Sequence, residues 1–186
     1  WYHLVITFSA GNPFKIYVNG VLSYTGGNTN VLAQSNDNII GASNGSGANG
    51  VDGKIDQVRI FSSALTDEQV EDLFEETACV YDSTTDDVNY PFDNGTNVEA
   101  YYKLDNSSED YVGTNDGTDT NIEYRFGRFG QAAVFSAGNT GIDTSTTLQS
   151  GNNSFSVSLW FSKDVISTNE GLFSTHSSNI AGTREG

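Results

Sequence analysis

Between positions 155 and 161 the chain alternates strictly, with Phe155, Val157, Leu159 and Phe161 set against Ser156, Ser158 and Trp160. Successive side chains of a β-strand point to opposite faces, so this period of two predicts a strand with one face buried. The same period recurs near the start. There Leu4, Ile6 and Phe8 alternate with His3, Val5 and Thr7, and Phe14, Ile16 and Val18 alternate with Lys15 and Tyr17. Asn19-Gly20 lies between two apolar runs and predicts a type I′ hairpin turn, with Val21 to Tyr24 as the return strand. A short strand is expected around Asn38-Ile39-Ile40-Gly41, between Asn- and Gly-rich loops. Longer stretches are expected over Gly53 to Phe61, Ala100 to Leu104 and Tyr124 to Phe135.

One segment breaks the pattern. Thr66-Asp67-Glu68-Gln69 reads as a capping box, Leu65 and Val70 are spaced as a hydrophobic staple, and Val70, Leu73 and Phe74 form a short apolar face. One helix of about three turns is expected near 66–75. Many short strands, frequent turn signals and a single helix predict an all-β sandwich.

Charge and composition exclude several classes of function. The 186 residues carry 8 basic and 24 acidic side chains, a net charge of −16, and such a field repels phosphate backbones. No nucleic-acid partner is expected. No window approaches eighteen consecutive apolar residues, so no membrane insertion is expected either. Cys79 is the one cysteine, which excludes an intrachain disulfide or a cysteine zinc cluster. The chain contains no methionine and so reads as a piece of something longer; Trp1-Tyr2-His3-Leu4 carries no signal-peptide pattern, which for a piece is uninformative about the parent protein. Residues 77–97 are rich in Asp, Asn and Thr without a sustained period, and read as a linker.

Three strings in the first part belong together: Trp1-Tyr2-His3-Leu4-Val5-Ile6-Thr7-Phe8, Phe14 to Gly20, and Gly53-Lys54-Ile55-Asp56-Gln57-Val58-Arg59-Ile60-Phe61 followed by Ala64-Leu65-Thr66. They resemble the C-terminal half of a laminin G-like domain, in the concanavalin A-like lectin/glucanase superfamily. Ala100 to Asp105, Gly127-Arg128-Phe129-Gly130-Gln131-Ala132-Ala133-Val134-Phe135, and Phe155 to Phe161 resemble the N-terminal half of such a domain. The resemblance implies a jelly-roll sandwich of two antiparallel sheets. It divides the chain into a C-terminal half over 1–76, the linker 77–97 and an N-terminal half over 98–186.

Catalysis is not expected. The superfamily's hydrolases use a Glu-x-Asp-x-x-Glu string, which would set carboxylates on one strand face, and this chain has none. His3 and His176 stand without an adjacent nucleophile or carboxylate motif and read as strand-surface histidines. Cys79 has no histidine near it in sequence and reads as an idle thiol. Asp105-Asn106-Ser107-Ser108-Glu109-Asp110 and Asp116-Gly117-Thr118-Asp119-Thr120-Asn121 offer hard oxygen ligands in turn-forming sequence, which suits calcium; the alternative is a solvated acidic loop. By the resemblance, Asp56, Asp105 and Asp110 are the candidate ligands of a structural calcium. Tyr17, Tyr24 and Trp160 fall opposite the main apolar alternation or near a strand end. They are the candidate carbohydrate-binding rings, with packing as the alternative for Trp160.

The resemblance implies a non-catalytic recognition or adhesion module binding a glycan or cell-surface partner. The implied setting is an extracellular or virion-surface protein such as a tail fibre. A spacer repeat of a fibre or capsid is the alternative, and a glucan hydrolase a remote third. Because neither half is completed in order, each must be covered by something, since half a sandwich exposes its inner face and edge strands. Neighbouring copies or adjacent repeats are the expected cover. A permuted closure within one chain is the alternative, to be decided by whether Phe8, Ile16 and Ile60 pack against Val134, Phe135, Val157 and Leu159.

Overall fold

The computed structural model describes residues 1–27, 37–43, 49–76, 98–136, 138–144, 154–163 and 170–176. The linker 77–97 with Cys79 lies outside them. The strands are β1 (Tyr2–Phe8), β2 (Lys15–Val18), β3 (Val21–Thr25), β4 (Asp37–Ile40) and β5 (Gly53–Phe61) before the helix α1 (Asp67–Glu75). After it come β6 (Val98–Tyr102), β7 (Gly117–Thr120), β8 (Glu123–Phe126), β9 (Gln131–Phe135), β10 (Gly141–Thr144), β11 (Phe155–Ser162) and β12 (Phe173–His176). They form two antiparallel sheets. The larger runs β3-β2-β1-β11-β5-β9-β8 with β6 also on β5, and the smaller runs β12-β4-β10-β7. This is the expected concanavalin A-like jelly-roll sandwich with one short helix. No helix among the described residues is long and apolar enough to cross a membrane.

The two halves close on each other within one chain. β1 pairs with β11 from Tyr2–Phe161 to Phe8–Phe155, and the other edge of β11 pairs with β5. Phe8, Ile60, Phe135, Val157 and Leu159 share one core between the sheets with Ile55, Tyr102 and Ile142. This corrects the expectation that neighbouring copies cover the halves. β11 satisfies the backbone donors and acceptors along both β1 and β5, so the permuted closure removes the edges that motivated an array. A second correction concerns Asp116 to Asn121, where β7 replaces the expected loop because its backbone pairs with β10 from Gly117–Thr144 to Thr120–Gly141.

Local signals formed as read. Asn19 and Gly20 both take positive φ (52° and 77°), as a type I′ turn requires. The Thr66 hydroxyl accepts from the Gln69 amide and the Gln69 side chain accepts from the Thr66 amide, at 3.2 and 2.9 Å, so the capping box is complete. Helix α1 lies on the outer face of the large sheet, where Val70, Leu73 and Leu65 pack with Val5, Tyr17 and Phe61.

Candidate functional site

The outer face of the large sheet is where the sequence placed its candidate rings, and most of it is covered. Trp160 is 3% exposed: His3 lies beside it with ring centroids 4.9 Å apart, Phe74 of α1 stacks on it at 5.8 Å, and Phe129 meets it edge-on at 6.0 Å. The Arg128 guanidinium sits over the same indole, 4.7 Å from its centroid. Tyr17 is buried beneath the helix and donates its hydroxyl to Asp67 Oδ1 at 2.6 Å. Both are therefore corrected as sugar-stacking rings, because α1 and the 127–130 loop occupy the face that alternation left open. His3 is likewise buried rather than a strand-surface residue, 2.9 Å from Ser158 Oγ through Nε2. Burial, reinforced by the Arg59 charge, lowers its pKa to about 3. Tyr24 alone of the three candidate rings is exposed, and it lies on β3 at the far edge of the sheet. The expected joint platform does not form.

The candidate carboxylates converge on a break in the large sheet. One edge of β5 pairs with β9 at Gly53 to Ile55 and with β6 at Val58 to Phe61, leaving Asp56 and Gln57 between the two partners. On the other edge, β5 takes three steps from Arg59 to Asp56 where β11 takes two from Ser158 to Trp160. This β-bulge re-aims the side chains beside it. Gln57 and Leu104 take positive φ (54° and 61°) at the break, conformations that cost a non-glycine residue on the order of 1 kcal/mol each.

Asp56 and Asp105 brace the same loop. Asp56 Oδ2 accepts the Arg128 amide at 2.7 Å and the Phe129 amide at 2.9 Å, while Asp105 Oδ1 accepts the Gln131 amide at 2.5 Å. Asp56 is fully buried, and burial is the main cause that raises its pKa to about 7. The two amides oppose the rise, and the Asp105 charge adds to it. Asp56 Oδ1 and Gln131 Oε1 are buried with no hydrogen-bond partner among the described residues.

Asp110 does not join this pair. Its oxygens serve its own turn, accepting the amides of Tyr101, Val112 and Asn115 at 3.1–3.2 Å. Among the described residues no three His, Cys, Asp or Glu side chains come together as a metal-holding group. The expected three-aspartate set is corrected to a pair with a separate structural aspartate. The physical reason is that the turn after β6 satisfies Asp110 locally. Two carboxylates with unpartnered oxygens from Asp56 and Gln131 are hard donors of the kind calcium takes, although calcium takes six to eight.

The loop these carboxylates hold presents Phe126, which is 88% exposed at the end of β8. Its carbonyl accepts Lys54 Nζ at 2.9 Å. Nothing in the sequence period marks Phe126, because the apolar residue after Tyr124 reads as one more core position. Gly127 follows because a Cβ there would lie 2.6 Å from both Asp56 Oδ2 and the Gln131 carbonyl. Gly127→Ala is expected to push the loop off Asp56 and cost about 2 kcal/mol, the range for a lost buried hydrogen-bond acceptor. Urea unfolding checks this, and an unchanged midpoint would show that the loop tolerates the methyl group.

Compared with known proteins, residues 1–71 match the family model of the concanavalin A-like lectin/glucanases superfamily, in its laminin G form. Neither the search of curated proteins nor that of solved structures gave a match. The matched segment contributes β1 to β5 and the start of α1, the part of the chain that supplies Asp56 and the bulge. The match covers residues 1–71 of the 186, and the two antiparallel sheets with one short helix are consistent with a concanavalin A-like jelly-roll sandwich.

Proposed function

We propose that this chain is a non-catalytic recognition or adhesion module that engages a glycan or surface partner through the loop between β8 and β9, in an extracellular or virion-surface protein. The observation that carries this reading is Phe126, an exposed ring next to a loop that Asp56 and Asp105 grip from beneath. A ring on a braced backbone loses little freedom when a sugar face or apolar side chain stacks on it, so its contact area converts efficiently into affinity. The superfamily match supports the class of function. Against catalysis, Asp56 is fully buried and Asp105 is tied to a backbone amide, so this carboxylate pair is not offered to a glycosidic bond.

A structural calcium belongs to this reading. Asp56, Asp105 and Gln131 would hold it at the sheet break, where it would compensate the buried carboxylate and stiffen the loop. Thermal melting with calcium and with a chelator tests the ion, with a higher melting temperature expected in calcium; no shift removes it. A glycan array probed in calcium tests the function, with binding by the parent chain and at least tenfold weaker binding by Phe126→Ala expected. An array with no specific binder favours the spacer reading instead, to which the burial of Tyr17 and Trp160 already lends support.

A further inference from the structure

Cations are scarce in this chain, 8 against 24 acidic side chains, and most of those described are taken up inside the fold. Lys15, Arg59, Arg125 and Lys163 each hold a carboxylate, and the Lys103 ammonium lies 3.4 Å from the centroid of the Tyr111 ring. Lys54 and Arg128 differ: among the described residues neither has an acidic partner. Both belong to the corner that carries Phe126. Lys54 Nζ donates to the Phe126 carbonyl at 2.9 Å, which leaves its other N–H groups for a ligand. Arg128 stands two residues beyond Phe126 and is exposed, with its guanidinium 4.7 Å from the Trp160 ring centroid and 5.1 Å from that of Phe129. The sheet register brings the two cations together. β11 pairs Trp160 with Asp56 and Ser162 with Lys54, and positions two apart on a strand share a face. Lys54 therefore lies one step along from the ring that holds Arg128. The nearby carboxylates are engaged elsewhere: Asp56 on the Arg128 and Phe129 amides, Asp105 on the Gln131 amide, and Glu123 on Arg125. Stacking on the indole fixes the guanidinium plane, which suits it to grip a planar anion through two parallel hydrogen bonds.

We propose that this corner binds an acidic glycan through a sugar carboxylate, with Arg128 gripping the carboxylate and Lys54 adding a second positive charge. The assignment rests on the reading that the loop between β8 and β9 is the contact surface, and it narrows the partner from glycans at large to those bearing a carboxylate. The rest of the chain sets the charge density that is tolerated. A net charge of −16 repels a densely charged polyanion, whereas one carboxylate among neutral sugars meets the two cations at short range and adds little repulsion. A sparsely charged glycan with uronic or sialic acid units fits. A heavily sulfated one does not.

Binding of the 186-residue chain to arrayed neutral, carboxylate-bearing and heavily sulfated glycans tests this, with each carboxylate-bearing member also present as its methyl ester. Binding is expected for the carboxylate-bearing members, and esterification is expected to weaken it about tenfold or more, the loss of a charge-assisted contact. That comparison uses the parent chain and needs no variant. Arg128→Gln is expected to weaken binding about tenfold as well. Arg128→Lys keeps the charge without the planar fork and recovers only part of the loss. Urea unfolding midpoints establish that both variants keep the parent fold. Neutral or esterified glycans that bind as strongly as the acids overturn the carboxylate assignment and leave the recognition reading standing. Binding confined to sulfated members, or carboxylate binding that a folded Arg128→Gln chain retains, also overturns it. An array with no binder of any class overturns the assignment and the glycan reading together.

Discussion

Replacing His3 by glutamine is expected to make the chain lose stability as pH rises from about 4 to about 6.5, whereas Asp56→Asn makes it gain stability over the same range. The two groups oppose each other. His3 has a folded pKa of about 3 against an ordinary 6.5, so the unfolded chain takes up a proton there that the folded chain refuses. Its stability contribution is full above 6.5 and is lost as pH falls towards about 3. Asp56 has a folded pKa of about 7 against an ordinary 3.8, so the folded chain keeps a proton that the unfolded chain releases. Its contribution is full below 3.8 and is lost as pH rises to about 7. Each slope is about 1.4 kcal/mol per pH unit, and in the parent chain they cancel between the two ordinary values. Removing one exposes the other. Other carboxylates contribute alike to the parent and both variants, so differences between the curves read the pair. Urea unfolding with a chelator present is expected to show each variant shifting by roughly 3.5 kcal/mol in opposite directions, a divergence of roughly 7 kcal/mol across the window. Parallel curves would mean that His3 is not held neutral and Asp56 is not held protonated.

A second large effect is expected at the far end of the helix. Glu76 follows α1 and takes both guanidinium nitrogens of Arg59, at 2.6 and 2.8 Å, with both side chains buried. The Tyr101 hydroxyl accepts from the same guanidinium and donates to Gln57 Oε1. This network ties α1 to β5 and to β6, joining segments from both halves of the chain. Glu76→Ala leaves a buried guanidinium without its counter-charge and is expected to cost about 3–5 kcal/mol. Net stabilities of single domains run to about 5–15 kcal/mol, so such a loss is a large fraction of the whole. Arg59→Met combined with Glu76→Leu should recover most of it, because removing both charges leaves nothing uncompensated. Denaturant unfolding of the single and double variants distinguishes the cases. A cost under about 1 kcal/mol for Glu76→Ala would mean that the pair is solvated in solution.

The helix, the Asn19-Gly20 turn and the longer strands were legible in the sequence because each is decided within a few residues. A capping box needs only Thr66 and Gln69, and β5 formed over the same residues, Gly53–Phe61, that its apolar run predicted. The sandwich class followed from the alternation in the same way. Tertiary structure decided everything that depends on what lies opposite a face. Alternation put His3, Tyr17 and Trp160 on the side away from the main core, but it says nothing of whether a helix or water covers that side. Helix α1 and the 127–130 loop cover it, so Tyr17 and Trp160 became packing residues and His3 became a buried neutral imidazole. The candidate site divided by the same rule. Asp110 serves amides within its own turn or one strand away, while Asp56 meets its loop 72 and 73 residues along the chain, at a sheet break that exists only once β6 and β9 both reach β5. Period and spacing carry local geometry. Which faces are covered, and which distant carboxylates converge, is set by the packing of the whole chain, where burial free energy outweighs local preference.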